Sequence, residues 1–291
     1  MRRFAWTVVV WVCLGCDPGS MGGDDAGPVV GTDAGRRADG GSSSDGGGGD
    51  AGPGDAGVVD AGDSPADAGG GRTGPIRVMV LGSSTAEGKN LDQPMYGGRA
   101  GGLADRYSVL YEAHLDGRFP GSMVTNVALA GASTFIALPS GTSTSVPSGL
   151  DGPDPMRNVD YAIAWGADAI IVNFPSPRAA AGEPTDVWVA NHREIIDAAA
   201  AAGIEGWVAL PNPAWLPADV PLAQANRDAL LAEFGAARTL DFYAAIEGAS
   251  GTHDPMYALT DGSHHPNAAG NLRFLDVLIA TDLPMQLDWM E

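Results

Sequence analysis

Short apolar runs alternate along this chain with longer segments of helical periodicity, beginning at residue 76. The first run, residues 76–81, is apolar and β-branched, as a buried parallel strand requires, and it stops at Gly82. Similar runs occupy residues 123–129, 169–173, 206–210 and 239–242. Helical spacing of apolar positions occurs at residues 105–118, 158–165, 185–202, 222–234 and 267–281. This alternation predicts an α/β fold, a three-layer α/β/α sandwich with a parallel sheet.

The first 16 residues have a different character. Two arginines precede the apolar run 4–14, which is too short for a membrane span of about 20 residues and is typical of a secretory signal. The ending Cys13-Leu14-Gly15-Cys16 resembles the lipobox of bacterial lipoproteins. That resemblance implies cleavage before Cys16, lipidation of Cys16, and a lipid-anchored protein of the cell envelope. An ordinary signal peptide with an incidental cysteine is the alternative.

Residues 17–74 consist almost entirely of Gly, Asp, Ala, Ser and Pro. Such a composition cannot bury enough apolar surface to offset the entropy of ordering, so we expect a disordered, self-repelling tether. The folded domain then spans residues 75–291. The triplet Asp-Ala-Gly recurs in the tether at Asp25, Asp33, Asp50, Asp55, Asp60 and Asp67.

The net charge disfavours some classes of binding partner, and the cysteine content excludes disulfide bonds in the domain. The formal net charge is −20, which disfavours nucleic acid and anionic lipid surfaces and favours a neutral or cationic substrate. We therefore expect contact with a membrane through the lipid anchor only. The two cysteines, Cys13 and Cys16, both lie in the leader, so disulfides do not stabilise the domain.

The first strand ends at a serine with the surroundings of a nucleophile. Ser84 follows Gly82 at the carboxyl edge of the predicted sheet, where ligands bind in open α/β folds. A helix that starts there directs unpaired N–H groups and its positive dipole end to the same point. Ser84 is accordingly a candidate nucleophile, and its alternative role is a helix N-cap.

Acyl transfer by a serine also needs an imidazole, a carboxylate and donors for the oxyanion. Asp261 and His264 lie three residues apart just before the last predicted helix, so they can form a local hydrogen bond. Gly131 follows the second strand, and its backbone N–H can approach an oxyanion closely because glycine has no side chain.

Together these residues resemble the SGNH hydrolase (GDSL esterase) family over the whole of residues 75–291. The resemblance implies a flavodoxin-like sheet and ester hydrolysis that needs no cofactor and no metal. It implies Ser84 as nucleophile, His264 as base and Asp261 as the carboxylate that orients it. The amides of Ser84 and Gly131 would be oxyanion donors. The matching motifs are Gly82-Ser83-Ser84 with Gly88, Asn126-x-Ala128-x-x-Gly131 and Asp261-x-x-His264.

Residues 171–176 and 207–212 further resemble a bacterial subgroup that includes carbohydrate O-acetyl esterases. An acetyl group on a carbohydrate is therefore the favoured substrate. The expected partner is a small-molecule or glycan ester, and no oligomeric state is predicted.

The chain departs from the family pattern at three places. Ser83 stands where the family usually has Asp, outside the triad. Pro177 and Arg178 stand where the family has Asn and Asp. The family's Asn is an oxyanion donor, and losing one such donor costs about 10² to 10³ in rate. Proline offers no side-chain or backbone donor, which makes Asn173, Arg178 and Asn191 candidate substitutes.

The third departure concerns the base. The segment 261–270 is one residue longer than the family's motif. Read forward from Asp261, the base is His264; read back from Pro266 and Asn267, it is His265. The usual spacing between the carboxylate and the imidazole favours His264.

Two other interpretations use the same residues. Because Pro177 removes a donor, the domain is alternatively a catalytically impaired surface protein that binds glycans or has a structural role. Transfer of an acyl group to a glycan acceptor is a third interpretation, and it uses the same triad.

Overall fold

The computed structural model describes residues 73–178, 182–261 and 265–288. The predicted signal peptide at 1–16 and the predicted tether up to residue 72 lie outside the described residues. The described ranges contain five β-strands and eight α-helices. The strands are β1 (Arg77–Gly82), β2 (Met123–Asn126), β3 (Ala169–Asn173), β4 (Glu205–Ala209) and β5 (Thr239–Leu240). The helices are α1 (Ser84–Glu87), α2 (Tyr107–Arg118), α3 (Val159–Trp165), α4 (Thr185–Ala201), α5 (Val220–Phe234), α6 (Phe242–Ile246), α7 (Ala268–Thr281) and α8 (Leu283–Gln286).

The five strands form one parallel sheet in the order β2-β1-β3-β4-β5. The chain moves from β1 to one side to make β2 and then crosses to the other side to make β3. Strand order therefore reverses between β1 and β3, and the crevice outside their carboxyl ends is where open α/β sheets bind ligands. Ser84 follows β1 at this crevice, so the topology places the candidate nucleophile at the switch point.

Both faces of the sheet are buried, which explains why the strand sequences are continuous apolar runs rather than alternating ones. In β1, Val78 and Val80 pack with α2 and α7 on one face, while Met79 and Leu81 pack with α3 and α4 on the other. All four side chains are 0% exposed. The predicted three-layer sandwich is confirmed.

Two elements differ from the sequence expectation. The second strand was predicted over residues 123–129, and β2 ends at Asn126. Backbone bonds to β1 nevertheless continue, from the Val127 N–H to Val80 O at 3.0 Å and from the Leu129 N–H to Gly82 O at 3.1 Å. The last strand was predicted over residues 239–242, but β5 contains only Thr239 and Leu240. Asp241 caps α6 by accepting the Ala244 N–H, so the helix begins within the run that was predicted as a strand.

No helix in the described part of the chain is long and apolar enough to cross a bilayer.

Candidate active site

Gly82 and Ser83 bring Ser84 to the edge of the sheet. A Cβ on Gly82 would lie 2.3 Å from the carbonyl oxygen of Asn173, so only glycine fits between β1 and β3 there. The Ser83 N–H donates to that same oxygen at 3.1 Å. Ser83 is the N-cap of α1, and its side chain makes no capping bond. Ser84 is the first helical residue, so its hydroxyl is not assigned to capping.

The segment that follows β2 is bonded directly to the nucleophile helix. Asn126 Nδ2 donates to the carbonyl oxygen of Ala86 at 2.6 Å, and the Ala130 N–H donates to Glu87 Oε2 at 3.1 Å. The Leu129 N–H continues the ladder to Gly82 O at 3.1 Å. Residues 126–131, which we call the Gly131 loop, therefore run beside Ser84 and are fixed to α1 at two points.

Asp261 and His265 form a hydrogen-bonded pair at the carboxyl edge of the sheet. Nδ1 of His265 lies 2.6 Å from Oδ2 of Asp261, and the two side chains are 10% and 1% exposed. Asn90 Nδ2 donates to the same carboxylate oxygen at 2.8 Å. This bond to the carboxylate holds Nδ1 of the imidazole and leaves Nε2 as its second nitrogen for proton transfer.

Backbone pairing fixes the position of His265. Ala258 and Pro266 form an antiparallel bridge, and the Leu259 N–H donates to His265 O at 2.9 Å. Asn267 then caps α7 by accepting the Gly270 N–H. The bridge and the cap fix the position of His265 from the helix side. His264, the histidine that the motif spacing favoured, lies outside the described residues.

A cavity of about 430 Å³ opens beside these groups. Ser84 and His265 both line it. Four prolines give it rigid apolar walls, and its polar atoms come mainly from side chains that bond in pairs: Asn212 Nδ2 to Thr85 Oγ1 at 2.9 Å, and Thr185 Oγ1 to Asn226 Oδ1 at 2.7 Å. Among the described residues of the lining, Asp219 is the carboxylate and there is no lysine or arginine, so the cavity suits a neutral or cationic ligand.

No family model and no curated protein matches the chain. Solved structures do match. TesA is 16% identical, with a TM-score of 0.50 over 72% of this chain and 99% of that one. A lipolytic protein of the G-D-S-L family from Desulfitobacterium hafniense is 12% identical, with a TM-score of 0.48 over 70% and 98%. The chain has the SGNH hydrolase fold. A point mutant of Axe2, an acetyl-xylooligosaccharide esterase from Geobacillus, is 14% identical, with a TM-score of 0.49 over 72% and 94%.

The backbone N–H groups of Ser84 and Gly131 were the predicted oxyanion donors. The N–H groups of Ser84 and Gly131 donate to no acceptor within the described ranges, and Gly131 has a φ of 80°, which suits glycine. Pro177 lines the cavity, where it presents a ring and no N–H. The two amides are thus available, and Pro177 adds no N–H donor.

The three candidate substitutes differ in where they lie. Asn173 is 1% exposed and its Nδ2 donates to the Tyr107 hydroxyl at 2.9 Å, inside the core and off the cavity lining. Asn191, also 1% exposed, donates to Thr134 Oγ1 at 2.8 Å. Arg178 is exposed, and Nη1 of its guanidinium donates to the carbonyl oxygen of Gly131. Of the three, Arg178 contacts the Gly131 loop.

A buried carboxylate supports this side of the site. Glu183 is 0% exposed and accepts the Thr134 N–H at 2.9 Å, the Thr134 hydroxyl, and the Arg178 N–H at 3.0 Å. Burial raises the pKa of Glu183, while these hydrogen bonds and the charge of Arg178 act in the opposite direction. Glu183 thereby joins the segment after β2 to the segment after β3.

Sequence reasoning missed Asn90, Glu87 and Glu183. Asn90 has a φ of 66°, a conformation in which asparagine is enriched, but nothing nearby in sequence relates it to Asp261. Glu87 and Glu183 bond to backbone groups 43 and 49 residues away, and such pairings become visible only when the fold is known.

Proposed function

We propose that this protein is a serine esterase in which Ser84 attacks the ester, His265 accepts and returns the proton, and Asp261 orients His265. The observation that carries the proposal is that His265, bonded to Asp261 at 2.6 Å, lines the same cavity as Ser84. A serine, an imidazole and a carboxylate in this relation are the groups that nucleophilic acyl transfer requires.

Acylation begins when Ser84 Oγ adds to the carbonyl carbon of the ester and passes its proton to Nε2 of His265. The tetrahedral intermediate carries its negative charge on the former carbonyl oxygen, which the N–H groups of Ser84 and Gly131 are free to receive. The carbon–oxygen bond to the alcohol then breaks, and His265 returns the proton to the departing alcohol. Water repeats the sequence on the acyl-serine and releases the carboxylic acid.

The proposed substrate is an O-acetyl group on a carbohydrate. The cavity lining combines an aromatic side chain, Trp215, with the polar side chains of Asn212, Asn226 and Asp219, a composition that suits a sugar. The lining, taken over the described residues, contains no lysine or arginine, which fits a neutral ester better than an anionic one.

The test compares the purified full-length chain with Ser84→Ala on p-nitrophenyl acetate and on acetylated oligosaccharides. Turnover by the wild type, and a loss of about 10³-fold or more in Ser84→Ala, are expected. Ser83→Ala is the matched control, since Ser83 is 6% exposed and lies next to the nucleophile without lining the cavity. Equal rates for the wild type and Ser84→Ala would refute the proposal.

Pro177 favours one competing function, a glycan-binding lipoprotein with impaired catalysis. It predicts no turnover of any acyl ester, no labelling of Ser84 by a fluorophosphonate, and retained binding of oligosaccharides. Acyl transfer, which uses the same triad, predicts that ester consumption rises when a glycan acceptor is added.

The same proposal includes export and lipid anchoring through Cys16, supported by the leader sequence 1–16. In a bacterial host, Cys16→Ala should lose labelling by a fatty-acid analogue and leave the membrane fraction. Cys13→Ala, three residues earlier, should keep both. Fatty-acid labelling that persists in Cys16→Ala would contradict the anchor.

A further inference from the structure

The amide of Gly131 is held on both sides by side chains from other segments. On its amino side, the Ala130 N–H donates to Glu87 Oε2 at 3.1 Å, which fixes the preceding residue to the nucleophile helix α1. On its carboxyl side, the guanidinium of Arg178 donates to Gly131 O. The Ala132 N–H also donates to Leu129 O at 3.1 Å, which closes a turn around Ala130 and Gly131.

Arg178 is itself anchored by its backbone. Its N–H donates to Glu183 Oε2 at 3.0 Å, and the other oxygen of this fully buried carboxylate accepts the Thr134 N–H at 2.9 Å. Thr134 starts the helical turn that follows the Gly131 loop. Glu183 thus binds the backbone of Arg178 and the backbone of Thr134 through one carboxylate. The Arg178 side chain therefore extends to Gly131 from a fixed backbone position.

The positive charge of Arg178 matters because the Glu87 carboxylate lies against the Gly131 loop. Glu87 bonds to Ala130 on one side of Gly131, and a carboxylate there opposes the negative charge that develops on a tetrahedral intermediate. Arg178 puts a permanent positive charge on the other side. Pro177, which precedes it, supplies a rigid wall and no donor.

We infer that Arg178 is a positioning residue of the oxyanion hole: it orients the Gly131 amide through Gly131 O, and its charge favours the oxyanion that this amide receives. The inference rests on the proposed esterase function. It makes Arg178 the residue through which this chain offsets the donor missing at Pro177.

The test uses the full-length chain with Arg178→Ala and Arg178→Lys. We expect Arg178→Ala to lower kcat about tenfold while KM changes less than about twofold, because the contact acts on charge that exists only in the transition state. Affinity for an acetyl-mimicking boronic acid, which forms a tetrahedral adduct with the serine, should fall by the same factor. Arg178→Lys should recover part of kcat, and guanidinium ion at millimolar concentration should partly rescue Arg178→Ala.

Arg238→Ala is the matched control. Arg238 also is exposed and pairs with Glu205, but it precedes β5 and therefore lies at the opposite edge of the sheet. It should keep wild-type kcat and boronate affinity, and the melting temperature of Arg178→Ala should match that of this control.

The inference is overturned if Arg178→Ala keeps kcat within twofold of the wild type, or if its loss appears in KM alone with unchanged boronate affinity. Failure of the proposed function is distinguishable from this. If Ser84→Ala equals the wild type, or if the wild type neither turns over esters nor binds the boronate, the esterase proposal fails and the inference fails with it. An active wild type, an inactive Ser84→Ala and a fully active Arg178→Ala refute the inference alone.

Discussion

Asp261 and His265 are joined across only four residues of chain, with Oδ2 of the carboxylate 2.6 Å from Nδ1 of the imidazole. The bridge between Ala258 and Pro266 closes the loop that contains both residues, so backbone pairing brings them together before α7 begins. A local pair of this kind loses little entropy on folding, since the loop that joins it is short.

We predict that His265→Ala lowers kcat/KM by about 10³-fold, because removal of the base leaves Ser84 without a proton acceptor. His264→Ala, the matched change at the adjacent position, should retain most of the activity. Steady-state kinetics on p-nitrophenyl acetate for both variants decide between the two histidines. The opposite ranking would assign the base to His264.

Asn90 should assist this pair, and Asn90→Gly isolates its side chain. Asn90 Nδ2 donates to Asp261 Oδ2 at 2.8 Å, and its φ of 66° is one that glycine adopts without strain. Removing one hydrogen bond to a carboxylate should lower kcat/KM about tenfold or less. Asn90→Asp, which places a second carboxylate beside Asp261, should be more damaging. Full activity in both variants would exclude a role for this contact.

Strand positions were predictable where burial alone determines them. β3 lies at the predicted residues 169–173, because a strand buried on both faces is a continuous apolar run that turn residues delimit. The start of α6 was less predictable, since a side chain sets it: Asp241 accepts the Ala244 N–H. Such a local bond of a short polar residue competes with continued strand pairing.

The residues of the candidate site were likewise predictable only where local sequence features mark them. Ser84 and Asp261 were identified as candidates from sequence because each lies beside a Gly- or Pro-containing break at a strand or helix end. Asn90 reaches Asp261 over 171 residues, and Arg178 reaches Gly131 over 47. These contacts depend on the strand order β2-β1-β3, which brings the loops after β1, β2 and β3 to one edge.

Gly82 should tolerate no side chain, because an added Cβ would lie 2.3 Å from Asn173 O and 2.9 Å from Ala86 Cβ. We predict that Gly82→Ala lowers the free energy of unfolding by more than about 3 kcal/mol, or prevents folding. Gly117→Ala is the matched control: Gly117 lies within α2 and its Cβ would meet nothing within 4 Å. That change should stabilise the protein by about 0.5 to 1 kcal/mol. Urea unfolding measures both, and equal stability of the two variants would contradict the contact.

His192 should make the protein less stable in acid. The side chain is 0% exposed, with Nδ1 2.7 Å from the carbonyl oxygen of Trp188 and its ring edge-on to the Trp188 indole at 4.7 Å. Nε2 has no hydrogen-bond partner among the described residues. Burial lowers the pKa of His192 to about 4, against the hydrogen bond to Trp188, which acts to raise it.

The sign of the effect follows from the protons bound. Between the unfolded-state pKa of about 6.5 and the folded-state pKa of about 4, the unfolded chain binds a proton that the folded protein does not. The free energy of unfolding therefore falls as pH decreases through this window, by about 3 kcal/mol in total.

His192→Phe keeps an aromatic ring and removes the titrating group. Between pH 7 and pH 4, the free energy of unfolding of this variant should therefore fall less than that of the wild type. Loss of the bond to Trp188 should lower its free energy of unfolding at pH 7 by about 1 kcal/mol. Urea unfolding at several pH values across this window measures the difference in slope. His114→Gln, which changes a partly exposed histidine on α2, should keep most of the wild-type acid dependence. An acid dependence in His192→Phe equal to that of the wild type would show that another group is responsible.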